Sequence, residues 1–222
     1  MTKKAFSRVL AFMKRKPWLI LGMIAAMLVL TFGEQALSGV LIEADLAAAD
    51  YVLGVIRLVL QTALSTVLVL VWYRDRDKAA PFAAVDILKL FVTTLLTTLL
   101  ITFCVVSVVL LPLGIWLYLR WDFYMNAYIT GRSCSIFSCV GESFRMTKGH
   151  AAKYLVYNIK YLLFYFVIEL AVTVATTVPD FTHTPLPGVL QTMSDVCYPI
   201  FVSVLMPYRY LLKCGFHDEI LE

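Results

Sequence analysis

Seven ionisable residues fall inside long apolar runs of this chain: Glu34, Arg57, Arg120, Asp122, Lys160, Glu169 and Asp195. An unpaired charge in hydrocarbon costs at least about 2.5 kcal/mol, so each position points to a partner or to function. At a rise of about 1.5 Å per residue, Glu34, Arg57, Arg120, Asp122, Glu169 and Asp195 come out roughly 9 to 14 Å inside the outer ends of their segments. They are expected to form one intramembrane polar layer. Two kinds of chemistry suit it. Glu34 with Arg57, and Arg120 with Asp195 or Glu169, would neutralise one another and hold helices together at about 0.6 to 2 kcal/mol per contact. Alternatively, the four acids outweigh the two arginines in an outward-facing, net-negative vestibule that admits a cation, a cationic peptide or protons.

Catalytic patterns are absent. The sequence has no Gly-rich phosphate loop, HExxH, GxSxG or repeated metal-ligand spacing. His150, His183 and His217 fall on connections and the tail, where solvated imidazoles are expected. Cys134 and Cys139 lack the companion His or Cys that would complete a tetrahedral zinc site, and reduced thiols are expected throughout. We therefore expect a non-enzymatic protein without cofactor or metal.

The elements that position these charges follow from composition. The chain has 222 residues, 61% hydrophobic and 15% charged, whereas a soluble domain is about 45 to 50% apolar and about 25% charged. It reads as an all-α, polytopic integral membrane bundle in a single domain. Apolar runs fall at Pro17 to Ile42, Tyr51 to Tyr73, Asp86 to Leu111, Leu113 to Thr130, Lys153 to Thr177 and Gly188 to Leu212. At about 20 residues per crossing this makes about six spans. The third and fourth runs meet at Pro112-Leu113-Gly114, where a turn is expected, because a single helix through both would be far too long for one crossing.

Basic residues orient the spans. Lys and Arg crowd the N-terminus, Arg74 to Lys89, Arg132 to Lys153, and Arg209 with Lys213; Glu43 to Asp50, the Pro112 turn and Val178 to Pro187 carry none. The alternation predicts a cytoplasmic-membrane protein with both termini inside. The formal charge of +4 thus serves orientation rather than nucleic-acid binding.

Two segments read as interfacial helices. In residues 1–16, Phe6, Val9, Leu10 and Met13 recur at helical spacing among Lys and Arg, a pattern that lies on anionic headgroups. In residues 133–149, Ser133 or Ser135 can cap a helix carrying Ile136, Phe137, Val140 and Phe144, with Arg145 and Lys148 in its last turn and Gly149 as its stop. Arg132, Arg145, Lys148 and Lys153 are the expected docking residues for lipid headgroups or another membrane protein. Two polar stripes are also visible. Tyr157, Tyr161 and Tyr165 lead to Glu169, with Lys160 beside them, and Thr94, Thr98 and Thr102 favour close helix contact.

SFRMTKGH, Ser143 to His150, resembles the Ser, Met, Lys-Gly-His signature of the bacterial domain of unknown function 975 family. LLPLGIWLYLRWDFYMNAYI, Leu110 to Ile129, is similar to that family's Pro-Gly and Tyr-rich stretch, with Leu113 interrupting the usual adjacent Pro-Gly pair. MPYRYLLKCGFHDEIL, Met206 to Leu221, is similar to its terminal Pro-Tyr segment. The membrane domain attached to some glycerophosphoryl diester phosphodiesterases shares the Pro, Arg and Ser-x-x-x-Thr-Lys-Gly pattern. The first resemblance implies a polytopic bacterial membrane protein with no assigned reaction; the second implies the membrane part without the catalytic part. Together these readings give an accessory or interaction component of a bacterial cytoplasmic membrane. The alternative is a small transporter or peptide-immunity protein that uses the acidic layer.

Overall fold

The computed structural model describes residues 3–43, 47–107, 110–131, 135–156, 167, 196 and 198–221, with no strand among them. In chain order the helices are α1 (Lys3–Arg15), α2 (Pro17–Glu43), α3 (Ala47–Arg74), α4 (Ala84–Val106), α5 (Leu111–Trp121), α6 (Tyr124–Ile129), α7 (Ile136–Thr147) and α8 (Tyr198–Leu221); residues 151–156 are also helical. Within α2, α3 and α4, the stretches Pro17–Val40, Val52–Arg74 and Ala84–Ile101 are long and apolar enough to cross a membrane. Their outer faces stay apolar, with Trp18, Val29, Leu88 and Phe103 more than half exposed. So much uncovered apolar side chain belongs against lipid rather than water. Most of the expected span at Lys153 to Thr177, the first part of that at Gly188 to Leu212, the connection between them, and Tyr157, Lys160, Tyr161 and Tyr165 lie outside the described residues.

Local chemistry sets the helix ends. Pro17 opens α2, a position where its missing N–H costs nothing. The Asp86 carboxylate accepts from the Ala83 N–H at 2.7 Å at the start of α4. The turn expected at Pro112-Leu113-Gly114 comes earlier: α4 ends at Val106, Ser107 caps it, and Pro112 sits in the first turn of α5. A proline there has no hydrogen bond to lose, so it starts the helix instead of ending one.

The expected helix over 113–130 breaks at Asp122 and Phe123 into α5 and α6. The second piece, α6, runs antiparallel to α4, since Tyr124 meets Thr94 and the Tyr128 hydroxyl donates to Asp86 at 2.6 Å. The Ala80 N–H donates to the Ile129 carbonyl at 3.0 Å, tying the end of α6 to the loop after α3.

The core gathers at one end of the long helices. Val9 and Phe12 of α1, Ile20 and Met23 of α2, Leu68, Trp72 and Tyr73 of α3, Leu90 of α4, Leu119 of α5, Phe123, Ile129 of α6, Cys139 and Met146 of α7, and Leu211 and Phe216 of α8 form one buried cluster. Helix α1 turns Ala5, Val9 and Phe12 inward and leaves Phe6 and Leu10 exposed. Its buried face meets protein rather than lipid. The contact is close because α8 presents Gly215, where a Cβ would stand 3.2 Å from the Ala5 carbonyl oxygen and 3.3 Å from Val9 Cγ2.

The C-terminal region corrects the expectation of a solvated tail. α8 continues to Leu221, and His217 and Asp218 are fully buried. The cause is a set of partners from α3 and the loop after it, which meet His217 Nδ1 and the Asp218 carboxylate.

α7 likewise turns Cys139 inward, and burial raises its thiol from the ordinary 9.0 to about 11. The unfolded chain therefore gives up this proton first. The stability tied to the neutral thiol is full below pH 9 and is lost as pH rises toward 11. Site-resolved alkylation by iodoacetamide should be slower in the native protein than in urea at pH 9, by about tenfold or more, because the thiolate is the reacting form. Equal rates at Cys139 by peptide mapping would contradict its burial.

Candidate functional site

A helix interrupted at Asp122 and Phe123 leaves backbone groups that need partners. α7 supplies them. The Phe123 N–H donates to Ser143 Oγ at 3.0 Å, and the Ser143 hydroxyl donates to the Arg120 carbonyl at 2.7 Å. The Thr147 hydroxyl donates to the Ser143 carbonyl at 3.0 Å and reaches the Arg120 carbonyl at 3.5 Å. Ser143 and Thr147 stand one turn apart on the buried face of α7. The helix itself is held as its sequence predicts: the Ser138 N–H donates to Ser135 Oγ at 3.2 Å, and Gly149 takes φ +83° past its end.

The break also frees Asp122 from the regular helix. Its Oδ1 accepts from Lys213 Nζ at 2.6 Å, and its Oδ2 accepts from the Tyr154 hydroxyl. The Asp122 and Lys213 side chains are only 14% and 8% exposed, so removing either one would leave a largely buried charge. Lys213 Nζ also lies 5.7 Å from the Tyr210 ring and 6.0 Å from the Phe123 ring.

Farther along α8, a second polar group fastens the last turns. Buried Asp218 accepts from Trp72 Nε1 at 3.2 Å and pairs with Arg76, with Lys78 Nζ at 3.6 Å. The Arg76 guanidinium lies 4.0 Å from the Trp72 ring centroid. The Tyr73 hydroxyl and His217 Nδ1 are 2.7 Å apart, and Asn126 Nδ2 donates to the Tyr73 oxygen at 3.0 Å.

Next to the Asp122 pair lies a cavity of about 190 Å³ among α4, α5, α6 and the middle of α8. Thr94, Thr97 and Thr98 line one wall, Tyr118, Trp121 and Tyr124 another, and Arg209, Tyr210 and Lys213 a third. Asp122 is the only carboxylate in the lining among the described residues, and it is engaged by Lys213 and Tyr154. The Arg209 guanidinium lies 5.7 Å from the Tyr118 ring. No carboxylate among the described residues pairs with it. An arrangement of this kind can hold an anion.

The expected polar layer divides in two. Glu34 and Arg57 form an ion pair between α2 and α3. Arg57 is fifteen residues, about 22 Å along a helix, before Trp72, whereas Lys213 is five residues, about 8 Å, before Asp218, which bonds Trp72. Asp122 thus lies well toward the α7 end, away from the Glu34 pair. Arg120 sets its guanidinium 4.9 Å from the Phe144 ring and 5.9 Å from that of Trp116. Glu169, Asp195 and Arg132 lie outside the described residues. Arg145, Lys148 and Lys153 are exposed, Arg145 bonding Glu142 at 2.9 Å.

Arg209 and Lys213 entered the sequence reading only as orienting charges. Their four-residue spacing on an otherwise apolar segment was the available signal for a shared face. No group of His, Cys, Asp and Glu that could hold a metal occurs among the described residues. Comparison with protein-family models, curated proteins and solved structures gives no match.

The Asp122 and Lys213 contact predicts strong coupling. Asp122→Asn and Lys213→Met should each lower stability in detergent by about 3 to 5 kcal/mol, and the double variant should lose much less than their sum. Denaturation midpoints of the four proteins check this, and additive losses would mean the two charges act separately.

Proposed function

We propose that the chain is a non-enzymatic, multi-pass protein of a bacterial cytoplasmic membrane, an accessory component whose basic inner faces dock anionic lipid headgroups. The observation that carries the reading is the packing of α1 against the last turns of α8. Contact between the two ends of the described chain requires both on one side of the membrane, which is what an even number of spans produces. In this reading α2, α3 and α4 are the first three crossings, the broken α5 and α6 the fourth, and α8 belongs to the sixth.

Charge supports the same orientation. Arg15 pairs with Asp75 at 3.0 Å, so the basic end of α1 sits at the loop that also carries Arg76 and Lys78. Arg145 and Lys148 of α7 and Lys153 beyond it are exposed, and α7 packs on α6, whose end is tied to that loop. Exposed cations gathered at one end of an apolar bundle are favourably placed against anionic headgroups, at about 1 kcal/mol each. Kinship with the domain of unknown function 975 family is part of the proposal, resting on the Ser143 to His150 motif, whose Ser143 and Thr147 close the α5 and α6 break. A transporter with an acidic site gains no support, since Glu34 and Asp122 are both paired with cations.

Two measurements test the reading. A cysteine introduced at Ala48 should react with an impermeant maleimide in intact cells, and one at Asp77 only after permeabilisation; the opposite pattern would reverse the orientation. Replacing Arg145, Lys148 and Lys153 together by Gln should reduce the enrichment of anionic over zwitterionic lipid around the purified protein by about a hundredfold, three cations at about 1 kcal/mol each. Unchanged enrichment would remove the docking role.

A further inference from the structure

We infer that the cavity among α4, α5, α6 and α8 is a binding site for a phosphate group, with Arg209 as its principal cation. The inference stands on the cavity alone and holds whether or not the exposed basic faces bind lipid.

Charge is the first consideration. Among the described residues, two cations and one carboxylate line the space. Lys213 and the Tyr154 hydroxyl already occupy both oxygens of Asp122. Arg209 is left as a guanidinium without a carboxylate among the described residues, half-buried, beside the apolar ring of Tyr118. Cations at this depth are retained where they face a partner or a water-filled cavity. Here the cavity is present, and the formal balance of its described lining is positive, the opposite of an acidic cation site.

Donor geometry narrows the anion. The planar fork of arginine matches carboxylate and phosphate equally. A carboxylate, however, is satisfied by one fork, whereas here Thr98 of α4, Tyr118 of α5, and Arg209 and Tyr210 of α8 bring donor groups from three helices into one space. Donors converging from several directions suit a tetrahedral group with oxygens on every side. Size agrees. About 190 Å³ is room for about six waters at their share of liquid volume, enough for a phosphate and the start of a substituent but below the roughly 300 Å³ at which pockets for drug-sized ligands begin. Ile101, Trp121 and Met125 give part of the wall an apolar surface. A phosphate ester with an apolar neighbour therefore suits the lining.

Such a group has two sources, a phospholipid headgroup or a soluble phosphate. The test uses the full chain in detergent micelles and two probes. Inorganic phosphate is titrated at constant ionic strength while tryptophan fluorescence is followed, since Trp121 lines the cavity. In parallel, micelles doped with phosphatidic acid or phosphatidylcholine are examined by native mass spectrometry for retained lipid. A saturable fluorescence change with inorganic phosphate, weakened about tenfold or more by Arg209→Gln and largely kept by Arg209→Lys, identifies a soluble phosphate as sufficient. Retention of phosphatidic acid that Arg209→Gln abolishes, with no response to inorganic phosphate, identifies the headgroup. Thr98→Leu, which fills the cavity without touching the charge, should remove binding in either arm and serves where Arg209→Gln does not fold. Absence of both responses in the wild-type chain, or binding indifferent to Arg209→Gln and Thr98→Leu alike, overturns the inference. Loss of lipid enrichment with the triple Gln variant of Arg145, Lys148 and Lys153, but not with Arg209→Gln, would separate the docking surface from this cavity.

Discussion

The bond from the Phe123 N–H to Ser143 Oγ sits where the fold has least freedom. A helix broken where it is buried leaves backbone groups without partners, and each one left unsatisfied costs about 1 to 3 kcal/mol. Ser143 returns one hydroxyl to two of these groups, accepting from Phe123 and donating to Arg120. That requires α7 to lie against the break, which in turn buries Cys139, Met146 and Thr147. With the break stabilised, Asp122 is turned toward α8, and Lys213 and Tyr154 can converge on it. The ion pair, the placement of α7 and the wall of the cavity all follow from one serine that makes a non-helical backbone affordable.

Much of the scaffold was legible because its signals are local. Long apolar runs specify α2, α3 and α4 without reference to any neighbour, and Ser135 with Gly149 brackets α7 by short-range hydrogen bonding and a positive φ. The Glu34 and Arg57 pair was also readable, since adjacent antiparallel helices bring residues equally far from their connection to one level. Less legible was anything decided by distant packing. Nothing in the run from Leu113 to Thr130 announces a break at Asp122, because the serine that stabilises it lies twenty residues later. His217 and Asp218 look like a polar tail until Tyr73, Trp72 and Arg76 are brought beside them from α3 and the loop that follows it. In α1, helical periodicity identified a stripe centred on Val9, but which flank turns inward, Ala5 and Phe12 rather than Phe6 and Leu10, depends on Gly215 being there to receive it.

The same contrast bears on how charge is distributed among the described residues. Counting charges along each span assigns Asp122 to a shared layer because linear depth is the only coordinate available. In the folded chain depth is overruled by pairing: Glu34 is held by Arg57 and Asp122 by Lys213. With Glu34 and Asp122 neutralised, the residual charge of the described lining is set by the cation that meets no acid among the described residues, and around the cavity that residue is Arg209. The sign of the site is therefore a property of which pairs form, and composition alone cannot give it.

Helix cohesion does not by itself account for this residue. A bundle that needed only attraction between helices would do as well with an apolar side chain at position 209, since replacing buried charges by well-packed apolar groups is often neutral or stabilising. The two cations of α8 lie one turn apart, yet among the described residues only Lys213 is spent on a carboxylate. Tyr118 gives Arg209 an aromatic neighbour 5.7 Å away, and attraction at that range is too weak to replace full hydration of a guanidinium. With no acid of the described residues beside it, the remaining compensation is open to what fills the cavity, water or an anion, and the hydroxyl groups opposite can bond to either. A cation held beside a space of this size and lining is arranged for an occupant that arrives from outside the fold.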